Sequence, residues 1–209
     1  MDRIGAFIED EINDADGWLK WRIKLPVRGV TRIVHVSQLY LLTLKKLFVK
    51  VVNMQGFSTR IVYRSTNTTA TVAGDPVANG ASFRVGFPGG EMECISLLSS
   101  KWEVIRGGFR YRDPTGAVRV ATIKRSQTGT FRLKLVATHA GIEPPGPATA
   151  YFTNFKINGG GDEYCGSTGS ATPTKNDATT FLVKNDDGTA CQPACSSPSG
   201  AFLDASVAF

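Results

Sequence analysis

The chain has 209 residues, of which 42% are hydrophobic, and this content suffices for a buried core, which excludes an intrinsically disordered chain. Its 24 Lys and Arg residues exceed its 18 Asp and Glu residues, so the net charge is +6. The longest apolar stretch, residues 39–52, is interrupted by lysines and is shorter than the roughly 20 residues of a membrane-spanning helix, so no transmembrane segment is predicted.

Charge is distributed unevenly along the chain. Basic residues exceed acidic ones by 3 in residues 1–52 and by 7 in residues 53–135, whereas residues 136–209 have a net charge of −4. A basic segment of this kind can indicate a surface that binds nucleic acid or another polyanion. Its Arg and Lys residues alternate with apolar residues, however, so the solvated face of a sheet is the preferred interpretation.

The amino-terminal residues predict an extension before the main domain. Apolar residues recur at mixed spacings in residues 4–24, which predicts a short amphipathic helix, and residues 30–36 predict a strand. The leucines of residues 38–52 fall on one side of a helix, although the β-branched residues at its end would also suit a strand. We prefer a helix packed on a sheet to one lying on a membrane surface. Residues 1–57 are thus predicted to be partly helical.

From Thr59 onward the apolar pattern changes to a period of two, which predicts strands with one buried and one solvated face. Gly, Pro, Asn and Asp residues separate these segments at intervals of about ten residues, a spacing typical of an all-β sandwich or barrel. We therefore predict a mainly β, antiparallel sandwich or barrel over residues 58–197, followed by a tail at 198–209. The predicted strands are 60–64, 82–87, 93–98, 102–105, 108–112, 118–124, 131–137, 150–157, 163–165 and 180–183.

The four cysteines are placed unevenly. Cys94 stands alone, whereas Cys165, Cys191 and Cys195 lie in a final third that is rich in Gly, Ser, Thr and Asn. A loop-rich segment with few large apolar residues is typically held by disulfides, which indicates an oxidising compartment. We prefer a bond between Cys165 and Cys195. A bond between Cys165 and Cys191 stays open, as does Cys191 with Cys195 and Cys94 with Cys165.

The amino end does not match a secretory signal. Glu9, Asp10, Glu11 and Asp14 occupy the region where a signal peptide has a basic start and then an apolar run. The cysteines and the missing signal agree best if the natural start lies further upstream; another export route, or reduced cysteines in the cytoplasm, would also account for both. We expect an extracellular or cell-surface location.

Several of these segments also carry a resemblance through their order along the chain. They are RIVY at 60–63, DPVANGA at 75–81, CISLL and KW at 94–102, GFRYRD at 108–113, YC at 164–165, NDATTF at 176–181 and CQPAC at 191–195. This order is similar to a β-rich module of uncharacterised secreted and surface proteins of myxobacteria and related soil bacteria. The resemblance covers residues 58–197. It implies a bacterial surface module and brings no catalytic residue or ligand with it.

Catalytic signatures are weak in this sequence. The chain has 2 His residues, and no Gly-x-Ser-x-Gly, His-Glu-x-x-His or phosphate-loop motif accompanies them, so we predict no enzyme activity and no cofactor. The alternative is a carbohydrate-active hydrolase or its accessory domain. That alternative requires a cleft that gathers Glu91, Glu93 or Asp113 with aromatic side chains.

Metal sites are also disfavoured. Cys191 and Cys195 have a spacing that zinc ligands use, but no second pair accompanies them, so no metal is predicted. Oxygen-rich residues at 159–162 and 185–188 could serve Ca²⁺. Neither segment has the spacing of a calcium-binding loop, and turn chemistry alone explains both.

Trp102, Arg106, Arg110 and Tyr111 are the candidate ligand-binding residues. An exposed patch of aromatic and basic side chains would bind a glycan or envelope polymer by stacking and hydrogen bonding. The alternation of this segment also allows the aromatic residues to face the core, and that interpretation is preferred. Nucleic acid is not predicted as a partner, because no helix carries a basic recognition face. The predicted function is a non-catalytic extracellular or cell-envelope structural or binding module for carbohydrate or an anionic polymer.

Overall fold

The computed structural model describes residues 7–13, 19–24, 26–27, 30–31, 38–53, 58–88, 92–140, 142, 147–191 and 195. Their regular structure is almost entirely β-strand, which confirms the predicted mainly β fold. The chain divides into two compact units, Met1–Gln38 and Leu39–Phe209. Within the described ranges, no helix has the length and apolar character needed to cross a bilayer. The predicted tail at 198–209 lies outside these ranges.

The described residues of the first unit form two small antiparallel pairs. Strand β1 (Phe7–Asn13) pairs with β2 (Leu19–Lys24), and β3 (Pro26–Val27) pairs with β4 (Val30–Thr31). The helix predicted in residues 4–24 is therefore wrong where the structure describes them. The sequence of β2 shows the reason, because its apolar residues alternate strictly with its basic ones, which is the period of a strand.

The second unit is built from two sheets. Their elements are β5 Leu39–Leu41, β6 Thr43–Asn53, β7 Ser58–Asn67, α1 Pro76–Asn79, β8 Ala81–Gly86, β9 Met92–Leu97, a 3-10 turn Ser99–Lys101, β10 Trp102–Ile105, β11 Gly108–Arg112, β12 Val118–Arg125, β13 Phe131–Ala140, β14 Phe152–Ile157, β15 Glu163–Ser167, β16 Lys175–Asp177 and β17 Thr180–Val183. The larger sheet has the strand order β10-β11-β12-β13-β7-β6-β17-β16 and the smaller β5-β15-β14-β8-β9. All described pairings in this unit are antiparallel except that of β5 with β15.

The two sheets pack face to face through an aromatic core. Phe131 of β13 stacks on Tyr164 of β15 with ring centroids 4.7 Å apart. Elsewhere in the core, Tyr63 of β7 contacts Phe83 of β8 at 5.4 Å. Each of these contacts joins the larger sheet to the smaller one, so the domain is a β-sandwich. The ten strands predicted from residue 60 onward are all present, with ends shifted by at most a few residues.

The helix predicted over residues 38–52 is wrong, because this segment forms β5 and β6. A β-bulge between Leu44 and Lys46 shifts the register of β6 against β7. Leu44 and Leu47 are three residues apart and are both buried, which imitates helical spacing. The boundary predicted between residues 57 and 58 thus falls between two paired strands, and the compact units separate after Gln38 instead.

Two disulfides join the carboxyl-terminal segment to the smaller sheet. Cys165 on β15 is bonded to Cys191, and their Cα atoms are 5.3 Å apart. Cys94 on β9 is bonded to Cys195, with Cα atoms 5.8 Å apart. The preferred bond between Cys165 and Cys195 is therefore wrong, and the alternative of Cys165 with Cys191 is the one formed.

Both bonds attach to a single row of the smaller sheet. Cys94 lies opposite Arg84, Arg84 opposite Asn154, and Asn154 opposite Cys165. The residues on either side of this row point into the core, so the row lies on the outer face. The two residues to which segment 191–195 is bonded, Cys165 and Cys94, are thus three strand spacings apart, or about 14 Å. The disulfide between Cys94 and Cys195 depends on this register of the smaller sheet, and the distance between two cysteines along the sequence does not reveal the register.

Candidate functional site

The outer face of the larger sheet carries a dense group of basic side chains. Along β7 the buried Ile61 and Tyr63 alternate with the exposed Arg60 and Arg64, and residues 131–135 of β13 follow the same period. Cross-strand partners lie on the same side of a sheet, so the strand registers bring these cations together. The basic face is defined as Lys45, Lys46, Lys50, Arg60, Arg64, Arg110, Arg112, Lys124, Arg132 and Lys134.

Like charges lie directly opposite one another on this face. The register of β6, β7, β12 and β13 places four such pairs side by side. Directly opposed like charges destabilise a sheet. The pairs are Lys46 with Arg64, Lys50 with Arg60, Arg64 with Lys134, and Lys124 with Arg132.

One acidic side chain pairs with the margin of the basic face. Glu103 on β10 accepts a hydrogen bond from Nε of Arg110 at 2.6 Å, and its Oε1 lies 3.9 Å from Nε of Arg112. Within the described part of the chain, none of the other eight cations forms an ion pair with a carboxylate. The positive charge of the central strands is therefore left without an intramolecular counter-charge among those residues.

Five of these cations line one groove on the basic face. The groove has a volume of about 450 Å³ and is called the basic groove. The hydroxyl-bearing Thr66 and Thr122 lie beside the cations. The cations are Lys45, Arg64, Lys124, Arg132 and Lys134.

The predicted ligand-binding patch is divided between the core and the surface. Trp102 is 6% exposed and Tyr111 is 3% exposed, and their rings contact each other at 5.3 Å inside the sandwich. These two side chains cannot stack on a ligand at the surface, so the aromatic part of the patch is wrong. Arg106 is exposed in the turn between β10 and β11, and Arg110 lies at the margin of the basic face beside Glu103.

The carboxylates considered for hydrolysis are placed differently. Glu91 lies outside the described residues. Glu93 lies opposite Val85 on the inward side of β9. Asp113 directly follows β11 and accepts hydrogen bonds from the backbone N–H and the hydroxyl of Thr115. The hydrogen bond from the hydroxyl is the main cause of the lowered pKa of Asp113. This geometry is that of a turn that stabilises the β11–β12 connection.

The two segments considered for Ca²⁺ each contain a buried aspartate that the protein itself satisfies. Asp162 accepts hydrogen bonds from the hydroxyl of Thr71 at 2.8 Å and from the N–H of Ala73 at 3.0 Å. Asp186 accepts from the hydroxyl of Tyr151 and from two backbone N–H groups. The described residues contain no group of three or more His, Cys, Asp or Glu that could hold a metal ion.

These buried carboxylates also help to raise the pKa of the neighbouring tyrosines. Burial is the main cause of the raised pKa of Tyr151, and its hydrogen bond to Asp186 raises that pKa further. Burial likewise raises the pKa of Tyr164, and the charge of Asp162 adds to the effect. Both tyrosines are therefore hydrogen-bond donors that anchor loops to the sheets.

The basic face and basic groove were not recognised from sequence as a site. The alternation of basic and apolar residues was visible, but the registers that align cations from four strands are not readable from a single chain. Comparison with known proteins adds no further residue, since no family model, curated protein or solved structure matches this chain.

Proposed function

We propose that this protein is a non-catalytic binding module of the extracellular space or cell envelope, and that its basic face binds an acidic glycan. The supporting observation is the set of four directly opposed like-charge pairs without carboxylate partners. An arrangement that destabilises the free sheet is typical of a functional surface, because a bound polyanion supplies the missing counter-charge.

The covalent structure supports the extracellular part of the proposal. Two disulfides use all four cysteines. Bonds of this kind persist in oxidising compartments and are rare in the cytosol. A basic surface of this type attracts acidic polymers electrostatically.

The proposal predicts that stability and binding respond in opposite directions to one charge reversal. Lys134→Glu replaces the repulsion across from Arg64 with an attraction. We expect this variant to gain about 0.5–1 kcal/mol of unfolding free energy at low salt. We also expect it to lose affinity for dextran sulfate, measured by calorimetry at about 0.15 M salt, while neutral dextran binds neither protein.

Lys184→Glu is the matched control, because Lys184 is exposed and lies outside the basic face. It makes the same change in net charge, so any loss of affinity from net charge alone appears in both variants. Equal losses in Lys134→Glu and Lys184→Glu would contradict a role for the basic face. Failure of the unmodified protein to bind dextran sulfate would contradict the proposed function itself.

A further inference from the structure

The cations of the basic face are not evenly spread, because five of them converge on the basic groove. Arg64 comes from β7, Lys124 from β12, and Arg132 and Lys134 from β13. The fifth, Lys45, lies on β6 between Leu44 and Lys46, at the point where the register of β6 against β7 is interrupted. A β-bulge redirects a side chain relative to regular strand alternation. The irregularity of β6 therefore adds a cation to a groove that already holds four.

The composition of the groove selects the chemistry of its occupant. Its cations come from four adjacent strands that are spaced about 4.8 Å apart, so different cations can contact different oxygens of one bound group. A carboxylate offers two oxygens in one plane, which a single Arg satisfies. A sulfate or phosphate ester offers three terminal oxygens directed along three corners of a tetrahedron. Such a group can accept hydrogen bonds from Arg64, Lys134 and Arg132 at once.

The neighbouring hydroxyl groups fit the same occupant. Thr66 lies directly opposite Arg132, and Thr122 lies directly opposite Lys134. Hydroxyl groups donate to ester oxygens or accept from the hydroxyl groups of a sugar. The volume of about 450 Å³ exceeds that of a single inorganic anion and leaves room for part of the sugar that carries the ester.

We propose that the basic groove is a subsite for a sulfate or phosphate ester group of an acidic glycan. This inference rests on the proposed function and specifies its ligand. It assigns recognition to the ester group, so that a polymer with carboxylates alone binds the basic face more weakly than an esterified polymer of the same charge density.

The test compares two double variants that remove the same charge from the same face. Arg64→Gln/Lys134→Gln removes two groove cations, and Lys50→Gln/Arg60→Gln removes a directly opposed pair that does not line the groove. We expect the groove variant to lose at least about tenfold in affinity for dextran sulfate, because each lost charged hydrogen bond is worth about a factor of ten. We expect the control variant to lose less than about threefold.

Polymer comparisons on the unmodified protein separate the ligand classes. Dextran sulfate and dextran phosphate should each bind more tightly than polygalacturonate of matched charge density, and the tighter of the two identifies the ester. Equal affinity for polygalacturonate would overturn the ester assignment. Tighter binding of single-stranded DNA than of both esterified dextrans would overturn the glycan assignment.

The variants also separate failure of the subsite from failure of the proposed function. Equal losses of affinity for dextran sulfate in the two double variants would overturn the assignment of the groove as a subsite, and the basic face would keep a general binding role. Unchanged affinity in both would overturn the two proposals together. Melting curves establish that each variant is folded, and Lys45→Gln provides a single substitution at the interrupted register of β6, with a loss of affinity expected there as well.

Discussion

Replacement of Asp186 by Asn tests whether a buried carboxylate holds the final third of the chain in place. Asp186 is 0% exposed and accepts hydrogen bonds from the hydroxyl of Tyr151 at 2.9 Å and from the N–H groups of Gly169 at 2.9 Å and Ala171 at 3.2 Å. Its own backbone pairs with that of Leu44 on β6. One residue therefore connects three separate segments of the sandwich.

The expected loss of unfolding free energy in Asp186→Asn follows from the hydrogen-bond donors that the substitution leaves unpaired. An amide keeps one acceptor oxygen and presents an NH₂ group where the second carboxylate oxygen was. At least one of the three donors to Asp186 then has no acceptor. A hydrogen bond to a charged group is worth about 1.5–3 kcal/mol, and a buried unsatisfied donor costs about 1–3 kcal/mol. We expect Asp186→Asn to lower the unfolding free energy by about 3 kcal/mol.

Urea denaturation measures this loss as a lower midpoint with an unchanged slope. Asp187→Asn is the control, since Asp187 is the exposed neighbour and should change stability by less than about 0.5 kcal/mol. A loss in Asp186→Asn as small as that in the control would refute the reasoning. The midpoint of the unmodified protein should be the same with EDTA and with excess calcium, and a rise with calcium would refute the account in which protein donors alone satisfy Asp186.

Three further outcomes are expected. Trp102→Ala should cost about 3–5 kcal/mol of unfolding free energy, because the indole is buried in the core. Val104→Ala on the same strand should cost less than about 0.5 kcal/mol, because that side chain is 73% exposed, and similar losses in the two variants would contradict the core position of the indole. Stability should fall as pH rises above about 10, because burial raises the pKa of Tyr151 and Tyr164 in the folded state, so the same tyrosines lose their protons first in the unfolded chain. A urea midpoint that stays constant between about pH 9 and 11 would argue against this loss of stability. Cys165→Ser should lower the free energy of unfolding by about 3–4 kcal/mol in the chain-entropy view, and a melting temperature equal to that of the unmodified protein would exclude such a contribution.

The strands were predictable from sequence where local rules determine them. The segment from Trp102 to Arg112 alternates and is interrupted by the turn residue Gly107, which has a φ of 80°, and the strands β10 and β11 occur where they were predicted. The alternation also correctly favoured the core for Trp102 and Tyr111. Such features depend on neighbours within a few residues, which a single sequence displays.

The remaining features depend on contacts between distant residues. The bulge near Lys45 shifts the alternation of buried and exposed residues along β6, so buried residues of this strand are spaced three residues apart, as in a helix. The bond of Cys94 to Cys195 spans a sequence separation of 101 and follows from the order of four strands. The alignment of Arg64 with Lys134 likewise requires the pairing of β7 with β13. Strand order and register are long-range properties, and periodicity carries no information about them.

The bond between Cys94 and Cys195 has a mechanical consequence for the protein. A pulling force applied to the chain beyond Cys195 passes through a covalent bond to β9 and does not load the hydrogen bonds between β17 and β6. Without the bond of Cys195 the same force would pass through the bond of Cys191 to Cys165 on β15. With both bonds reduced, it would act on the short strand β17. The oxidised sandwich should therefore resist forced unfolding when the chain is pulled from beyond Cys195.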